Sequence, residues 1–263
     1  MISCRIIYAG SEFMNPILKT EGLTCSFGGL VAVNSVDYRL DKGQLASIIG
    51  PNGAGKSTFY KLIVGVQTPT QGRIYFNGED ITDVKPHRRV EMGIAKSFQI
   101  VQIFADMRVI ENMAVAAQQG LTKDSRMFYL SSWKNSKTIQ KSEEILGRID
   151  LLGDKEKKAG SLPQGQKKRL EIGMALATDP SLLLLDEPTA GSSPAETQMT
   201  IDLVKELSKD LSIVIVEHKM DVVMKLAERI TVMHQGRIIA DGTPNEIRSN
   251  ELVKSVYLGG SDA

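Results

Sequence analysis

The sequence predicts an α/β protein: a core built on a mixed sheet, an antiparallel β portion at the N-terminal end, and an inserted helical subdomain. Strand-like text fills residues 16–48, and helical periodicity dominates from about residue 85 to 178. Two continuous apolar runs follow, SLLLLD and LSIVIVEH, of the kind that lie in a parallel sheet covered on both faces. With 263 residues and 42% hydrophobic content, the chain can bury the core of one large domain or of a domain with a sizeable insertion.

The first elements in order are strands. ILKTEGLTCSF and LVAVNSVDYRL predict two strands, DKG a turn, and QLASIIG a buried strand. GRIYFNG, residues 72–78, predicts a further short strand bounded by glycines. The helical text that follows includes NMAVAAQQ and KTIQKSEEILGRIDLL, and we place the inserted helical subdomain at roughly residues 100–178.

The C-terminal part predicts a hairpin and a helix. RITVMHQGRIIADG is typical of a hairpin that turns at Gln235 and Gly236. Thr243, Pro244 and Glu246 supply an N-cap, a proline at the first helical position and a capping-box acid for a last helix ending near Leu258.

Composition excludes several classes of protein. The 32 basic and 31 acidic residues form no long block of one sign, so the chain lacks the electrostatic footprint for nucleic acid or an anionic membrane. Cys4 and Cys25 form no CxxC motif, which argues against a disulfide framework or a zinc site and favours a reducing cytosol. No apolar run approaches the roughly 18 to 20 residues that span a bilayer, so we expect any membrane connection to be through a partner.

The first residues are interpreted separately. MISCRIIYAGSEF precedes a second methionine, Met14, and adjacent cloning sites would encode GSEF. We therefore interpret residues 1–13 as a leader outside the fold, residues 14–259 as the domain, and residues 260–263 as a tail. A short natural extension is the alternative interpretation of the leader.

The stretch GPNGAGKST, residues 50–58, fits the phosphate-binding pattern G-x-x-x-x-G-K-[ST] between a strand and a helix. Its glycines let backbone N–H groups surround phosphate oxygens, Lys56 adds a charge at the terminal phosphates, and Ser57 offers a hydroxyl to Mg²⁺. The core is therefore predicted to be of the P-loop NTPase type, and a chance match is the alternative. The predicted nucleotide-binding residues here are Gly50, Pro51, Asn52, Gly53, Ala54, Gly55, Lys56, Ser57 and Thr58.

The stretch LLLLDEP, residues 182–188, places two carboxylates at the end of a buried strand. Asp186 can hold Mg²⁺ or its water shell, and Glu187 can orient and polarise a water for attack on the γ-phosphate. That arrangement favours hydrolysis over transfer to a bound acceptor. The alternative is a core strand that merely enters a polar turn.

The loop SLPQGQKKRLE, residues 161–171, precedes a helix whose Leu170, Gly173, Met174 and Ala177 fall on one stripe. Free N–H groups at a helix start favour an anion. The alternative is an ordinary helix start with a solvated KKR face.

Taken together, Lys56, Gln99 in KSFQ, the SLPQGQKKRLE loop, DEP and the histidine of VEH resemble an ABC-type ATPase from about residue 17 to 259. Such a likeness implies a RecA-like mixed sheet. Within that family the chain most closely resembles the ATP-binding subunit of branched-chain amino-acid transporters, by FGGLVAV, LPxGQxxRLEIxxALAT, EHxM and GTPxEI.

The resemblance implies individual roles. Phe27 would stack on adenine, Gln99 would reach Mg²⁺ and sense the γ-phosphate, and His218 would contact that phosphate and the attacking water. SLPQGQ would occupy the place of the family's signature loop, so that Leu162, Gly165 and Gln166 contact ATP bound to the other protomer. The alternatives are strand packing for Phe27, a solvated loop residue for Gln99 and a satisfied strand-end histidine for His218.

Some positions depart from the family pattern. Pro163 replaces a serine whose hydroxyl would reach the γ-phosphate, so that bond is absent or supplied by Ser161. Ser192 and Ser193 stand where the subgroup more often has a leucine first, and Lys219 follows His218 where an aspartate is more usual.

The function implied by the resemblance is ATP hydrolysis that powers solute uptake, most closely of branched-chain amino acids. The implied partners are permease subunits, a second ATPase subunit (identical or paralogous) and, indirectly, a solute-binding protein, at the cytoplasmic face of the membrane and without nucleic acid. Within QIVQIFADM, Phe104 and Met107 are expected to be exposed for a permease helix. The alternatives are ATPases of lipopolysaccharide export or of urea and amide uptake, a soluble ABC ATPase acting on DNA or ribosomes, and a small-molecule P-loop kinase.

Overall fold

The computed structural model of the protein describes residues 16–97, 102–121 and 136–258. The predicted leader, Gln99 and the predicted tail lie outside the described residues.

Ten strands and nine α-helices make up the described part of the chain. The strands are β1 Leu18–Phe27, β2 Leu30–Leu40, β3 Leu45–Ile49, β4 Gln71–Phe76, β5 Glu79–Asp80, β6 Ile94–Lys96, β7 Leu182–Asp186, β8 Ser212–Val216, β9 Arg229–His234 and β10 Arg237–Gly242. The helices are α1 Lys56–Ile63, α2 Pro86–Glu91, α3 Val109–Leu121, α4 Ser136–Arg148, α5 Gln164–Leu176, α6 Pro194–Leu207, α7 Met220–Leu226, α8 Pro244–Ser249 and α9 Glu251–Leu258.

The strands form two sheets. An antiparallel sheet has the order β2-β1-β4-β5, and the central sheet has the order β10-β9-β3-β8-β7-β6. In the central sheet β9, β3, β8, β7 and β6 run parallel, and only β10 pairs antiparallel. Every residue of β3 and of β8 is buried, as their continuous apolar sequences predict. The predicted mixed α/β core with an N-terminal antiparallel β portion is confirmed.

Two predicted elements differ from the structure. The stretch from residue 85 to 178 contains β6, a three-residue strand that the helical pattern hides and that pairs with Leu182–Leu184. The predicted last helix is two helices, because Asn250 adopts an extended conformation (ψ 115°) at the end of α8. The Asn250 side-chain oxygen then accepts the N–H of Val253 at 3.1 Å and caps the start of α9. The predicted capping box of Thr243 and Glu246 is confirmed.

The α5 helix is buried on more than one face. Leu170 and Gly173 belong to the predicted stripe and are buried, but Lys168 and Arg169 are also only 2% and 3% exposed. The Arg169 guanidinium donates to the carbonyl of Ile149 at 3.1 Å. A solvated KKR face is therefore excluded for these two side chains. Of the helices in the described ranges, none has the length and apolarity to cross a membrane.

Candidate functional site

The order of the central sheet gathers the predicted site from distant parts of the chain. The strands β3, β8 and β7 are neighbours and run parallel, so their carboxyl ends meet at one edge. The glycine-rich loop follows β3, the pair Asp186–Glu187 ends β7, and His218 follows β8. Because ligands bind outside the carboxyl ends of such strands, this edge is the candidate site.

The phosphate-binding loop is held by its own lysine. Lys56, the first residue of α1, is 4% exposed, and its ammonium donates to the carbonyls of Gly50 and Pro51 at 2.8 and 2.9 Å. Burial lowers the pKa of Lys56, against the opposing charges of Glu187 and Asp186. The loop is thus shaped before any phosphate enters it.

The turn of the β9–β10 hairpin clamps the same loop. Gln235 and Gly236 form this turn with φ of 46° and 76°, as predicted. The Gly236 N–H donates to the Ala54 carbonyl at 3.0 Å, and the Gly236 carbonyl accepts the N–H of Asn34 at 2.8 Å. A Cβ on Gly55 would lie 2.3 Å from the Ala32 carbonyl oxygen, so only glycine allows this approach. The loop, β2 and the hairpin turn therefore form one rigid wall.

A cleft of about 570 Å³ opens above this wall. It is lined by Leu30, Val31, Ala32, Asn52, Gly53, Ala54, Gly55, Lys56, Ser57, Thr58, Glu187, His218 and Gln235. Seven of the nine predicted loop residues thus line the cleft together with both predicted catalytic residues. The other two, Gly50 and Pro51, accept the Lys56 ammonium through their carbonyls.

Glu187 and His218 contact each other in the cleft. The Nε2 of His218 lies 3.0 Å from Oε1 of Glu187, and both side chains are partly exposed. The Glu187 N–H donates to the Val216 carbonyl at 2.9 Å, which joins the loops after β7 and β8. A carboxylate and an imidazole facing a phosphate-binding loop can orient a water and pass protons to and from it.

Asp186 stands at the end of β7, and its N–H donates to the Ser97 hydroxyl at 3.1 Å. Burial, together with the charge of Glu187, raises the pKa of this carboxyl. The charged form is thus disfavoured in the absence of a cation, which is the environment expected beside a cation site.

Phe27 ends β1 and is 49% exposed. It pairs in register with Leu30, which lines the cleft, so an exposed ring stands beside the cleft. Simple strand packing is therefore not its environment.

The signature-loop residues do not join this cleft. None of Leu162, Gly165 and Gln166 is among its described lining residues. Leu162 is buried, and Gln166 donates to the Asp154 carboxylate at 3.1 Å. A Cβ on Gly165 would lie 2.6 Å from the carboxyl group of Glu196, so this backbone packs against the start of α6. One protomer therefore carries two separate halves of the predicted site.

The structure shows the contacts of the residues that depart from the family pattern. Pro163 is the N-cap residue of α5, which begins at the following residue, Gln164, and the Ser161 hydroxyl donates to the Lys158 carbonyl at 2.7 Å. The Ser192 hydroxyl is buried without a hydrogen-bond partner in the described part of the chain. The Lys219 ammonium lies 3.3 Å from the Thr189 carbonyl oxygen.

Sequence reasoning missed the cleft wall formed by Leu30, Val31 and Gln235 and the buried carboxylate of Glu217. For Gln235 part of a signal existed, because the sequence predicted the hairpin turn that contains it, but only the sheet order places that hairpin beside β3. The β2 residues gave no local signal, since their role depends on contact with a loop distant in sequence.

Comparison with known proteins yields the same assignment. Residues 33–190 match the family described as ABC transporter, and residues 237–263 match the one described as branched-chain amino acid ATP-binding cassette transporter. The chain is 37% identical over 250 residues to the high-affinity branched-chain amino acid transport ATP-binding protein BraF of Pseudomonas aeruginosa, covering 93% of this chain and 98% of that protein. It is 38% identical over 250 residues to LivG of Escherichia coli, with the same coverage. A crystal structure of the ADP conformation of an ATP-binding cassette of an ABC transporter superposes with a TM-score of 0.83 at 34% identity, covering 94% of this chain and 100% of that one.

Proposed function

The chain belongs to the ABC transporter family as an ATP-binding subunit that hydrolyses ATP, and we propose that it powers the uptake of branched-chain amino acids through separate permease subunits. The family match covers residues 33–190, which include the phosphate-binding loop, the signature loop and DEP. The small-molecule kinase interpretation is thereby excluded.

One observation carries the assignment of roles: the 3.0 Å contact between Glu187 and His218 in the cleft that the phosphate-binding loop lines. Glu187 is the general base that orients and activates water, and His218 contacts the γ-phosphate and the water. Lys56 supplies positive charge to the terminal phosphates, and Phe27 stacks on the adenine. Gln99, outside the described residues, is the proposed sensor of the γ-phosphate.

Mg²⁺ fits the donors that are present. Ser57 is exposed in the cleft and offers a hydroxyl oxygen, and the partly buried Asp186 offers a carboxylate whose pKa is raised by burial and then by the charge of Glu187. Oxygen donors are the ligands Mg²⁺ prefers, usually one or two carboxylates with nucleotide phosphates and water. Bound there, Mg²⁺ would neutralise charge on the phosphates.

Two protomers complete the site. The separation of Leu162, Gly165 and Gln166 from the cleft of their own chain supports a sandwich in which each signature loop meets ATP on the other protomer. The second protomer is an identical or a paralogous subunit.

The permease contact is proposed at Phe104, which is 51% exposed, as expected. Met107 was expected to be exposed as well, but it is partly buried, as is Ile103. With this contact, the proposal is that the chain acts at the cytoplasmic face of the membrane, with a solute-binding protein as an indirect partner and without nucleic acid. Branched-chain amino acids, rather than lipopolysaccharide, urea or amides, are supported by what BraF and LivG are named for.

The test replaces Glu187 with glutamine. Glu187→Gln should bind ATP and lose turnover, and ATP should shift it to a dimer by light scattering, because the base is lost while the phosphate contacts remain. The matched control is Glu206→Gln on α6, half-exposed and 3.9 Å from Arg148, which should hydrolyse ATP normally. Turnover by Glu187→Gln at the normal rate would refute its role.

A second measurement addresses the solute. Cells lacking this gene should regain uptake of labelled leucine, isoleucine and valine with the wild-type gene and not with Glu187→Gln. Restored urea uptake without leucine uptake would overturn the assignment of the solute.

A further inference from the structure

We propose that Glu217 is a positioning residue for the hydrolytic pair: its buried carboxylate, helped by Lys219, fixes the loop bearing His218 against the loop bearing Glu187. The proposal rests on the function proposed above for that pair.

The contacts of Glu217 all serve these two loops. Its side chain is buried (the residue is 2% exposed), and one carboxylate oxygen accepts the hydroxyl of Thr189, a fully buried residue two positions after Glu187. The other oxygen accepts the backbone N–H of His218 at 2.9 Å and that of Lys219 at 3.3 Å. A single carboxylate thus joins the chain beside each member of the pair.

Lys219 adds a second tie between the same loops. Its ammonium donates to the Thr189 carbonyl at 3.3 Å, and that carbonyl also accepts the N–H of Ser192 at 3.3 Å. An aspartate, which is more usual after this histidine in the family, is an acceptor when ionised and could not donate a hydrogen bond to the Thr189 carbonyl. Lysine here therefore connects the loop after β8 to the loop that leads into α6.

The pair needs this support because its two members come from different strands. Glu187 has φ of 48°, a left-handed conformation that costs a residue with a Cβ about 1 kcal/mol and persists only where surrounding contacts fix it. A displacement of about 1 Å in a catalytic group can reduce the rate by about a hundredfold. Ties at Thr189 and at the backbone of His218 hold both ends of the 3.0 Å contact.

The experiment compares three variants in steady-state ATP hydrolysis. Glu217→Gln keeps the side-chain shape but has one acceptor oxygen for three donors, and we expect kcat to fall about tenfold or more with KM for ATP within about twofold. Thr189→Val and Lys219→Met each remove one tie and should lower kcat about threefold or more by the same reasoning.

The matched control is Thr200→Val. Thr200 is a fully buried threonine on α6 whose hydroxyl donates to the Glu196 carbonyl at 3.0 Å, away from the pair. It should lower the melting temperature about as much as Thr189→Val does and leave kcat unchanged. An equal loss of kcat in both threonine variants would show that general destabilisation is responsible and would overturn the proposal.

A double variant tests whether the residues act together. In Thr189→Val/Glu217→Gln, kcat should be no lower than in Glu217→Gln alone, because both changes break the same tie. If the fold-losses of kcat in the two single variants multiply in the double variant, the two residues act independently and the positioning role is contradicted. A rise of KM for ATP that matches the fall of kcat would also contradict it. If Glu217→Gln does not fold, Thr189→Val and Lys219→Met decide the question in the same assay.

Failure of this proposal is distinguishable from failure of the proposed function. Normal turnover by Glu187→Gln would refute the catalytic pair itself. An inactive Glu187→Gln together with a normal Glu217→Gln would leave the pair in place and refute only the positioning role.

Discussion

Replacing Arg89 with methionine should be among the most destabilising single changes outside the cleft. Arg89 lies on α2 and is 1% exposed. All five N–H bonds of its guanidinium have acceptors: Val84 at 2.9 Å, Leu62 at 2.7 Å, Ile63 at 2.6 Å, Ile81 at 2.6 Å and Thr82 at 3.0 Å, each through the backbone carbonyl. Two of these carbonyls belong to the last turn of α1, the helix that begins at Lys56.

The magnitude follows from these contacts. Methionine fills most of the apolar volume but removes the guanidinium from five carbonyls. The carbonyls of Leu62 and Ile81 keep a backbone donor, from Gly65 and Val84, and the other three lose theirs. A hydrogen bond from a charged donor contributes about 1.5–3 kcal/mol, and leaving a buried acceptor unsatisfied costs about 1–3 kcal/mol. The cost of burying the charge offsets part of this, as shown by the pKa of Arg89, which burial lowers to about 10. The expected loss is about 3–5 kcal/mol, the range for breaking a buried charged network, against about 5–15 kcal/mol in total.

The neighbouring Arg88 provides the control. Its side chain is 67% exposed and contacts Glu91 at 2.6 Å, so Arg88→Met should cost at most about 0.5 kcal/mol. The free energy of unfolding of both variants is measured by urea titration with circular dichroism at neutral pH. A difference between the two variants below about 1 kcal/mol would refute the reasoning, because the carbonyls around Arg89 would then tolerate the loss of its guanidinium.

Two further predictions concern the site and a third concerns the proposed permease contact. Asp186→Asn should raise the melting temperature of the nucleotide-free protein at pH 7 while abolishing hydrolysis. The folded-state pKa of Asp186 is raised, so its ionisation costs stability once the pH exceeds the unfolded-state pKa of about 3.9. The gain should vanish at about pH 3, where the carboxyl is protonated in both states, and an equal gain at both pH values would contradict this. Lys56→Ala should lose ATP affinity, measured with a fluorescent nucleotide, and about 1–2 kcal/mol of stability, because two loop carbonyls lose their donor; unaltered ATP hydrolysis would exclude the phosphate-binding role. Phe104→Asp should keep ATP binding and lose co-purification with the permease, because docking would bury an unpaired charge, and an aggregated or ATP-blind variant would place Phe104 in the core instead.

Local signals in the sequence were sufficient to predict the main strands, the hairpin and the phosphate-binding loop. The strands β3 and β8 are continuous apolar runs, and the β9–β10 hairpin turns at Gln235 and Gly236, of which the glycine readily adopts positive φ. The phosphate-binding loop could likewise be predicted from the sequence, because its glycines, Lys56 and the flanking strand and helix are adjacent in the chain. Each of these signals depends on backbone preferences and side-chain periodicity within a few residues.

Short elements and element ends could not be predicted in this way. β6 has three residues, too few for a period-2 pattern to be distinguished from helical text, and it exists because its backbone pairs with Leu182–Leu184. The break between α8 and α9 depends on Asn250 capping the second helix, which competes with continuation of the first.

The site itself shows what the tertiary structure decided. The sequence identified Glu187 from the LLLLDEP pattern and His218 by resemblance, and the order β3-β8-β7 brought them to 3.0 Å of each other in a cleft with Lys56. Thr189 and Glu217 are 28 positions apart in the sequence. Neither their hydrogen bond nor the burial of both side chains can be predicted from the local sequences VEH and DEPT. The sequence alone specifies which groups are present and the conformation of each short segment. Only the pairing of distant strands sets which of those groups are buried, which are exposed and which touch, because distances between remote segments depend on the whole packed chain.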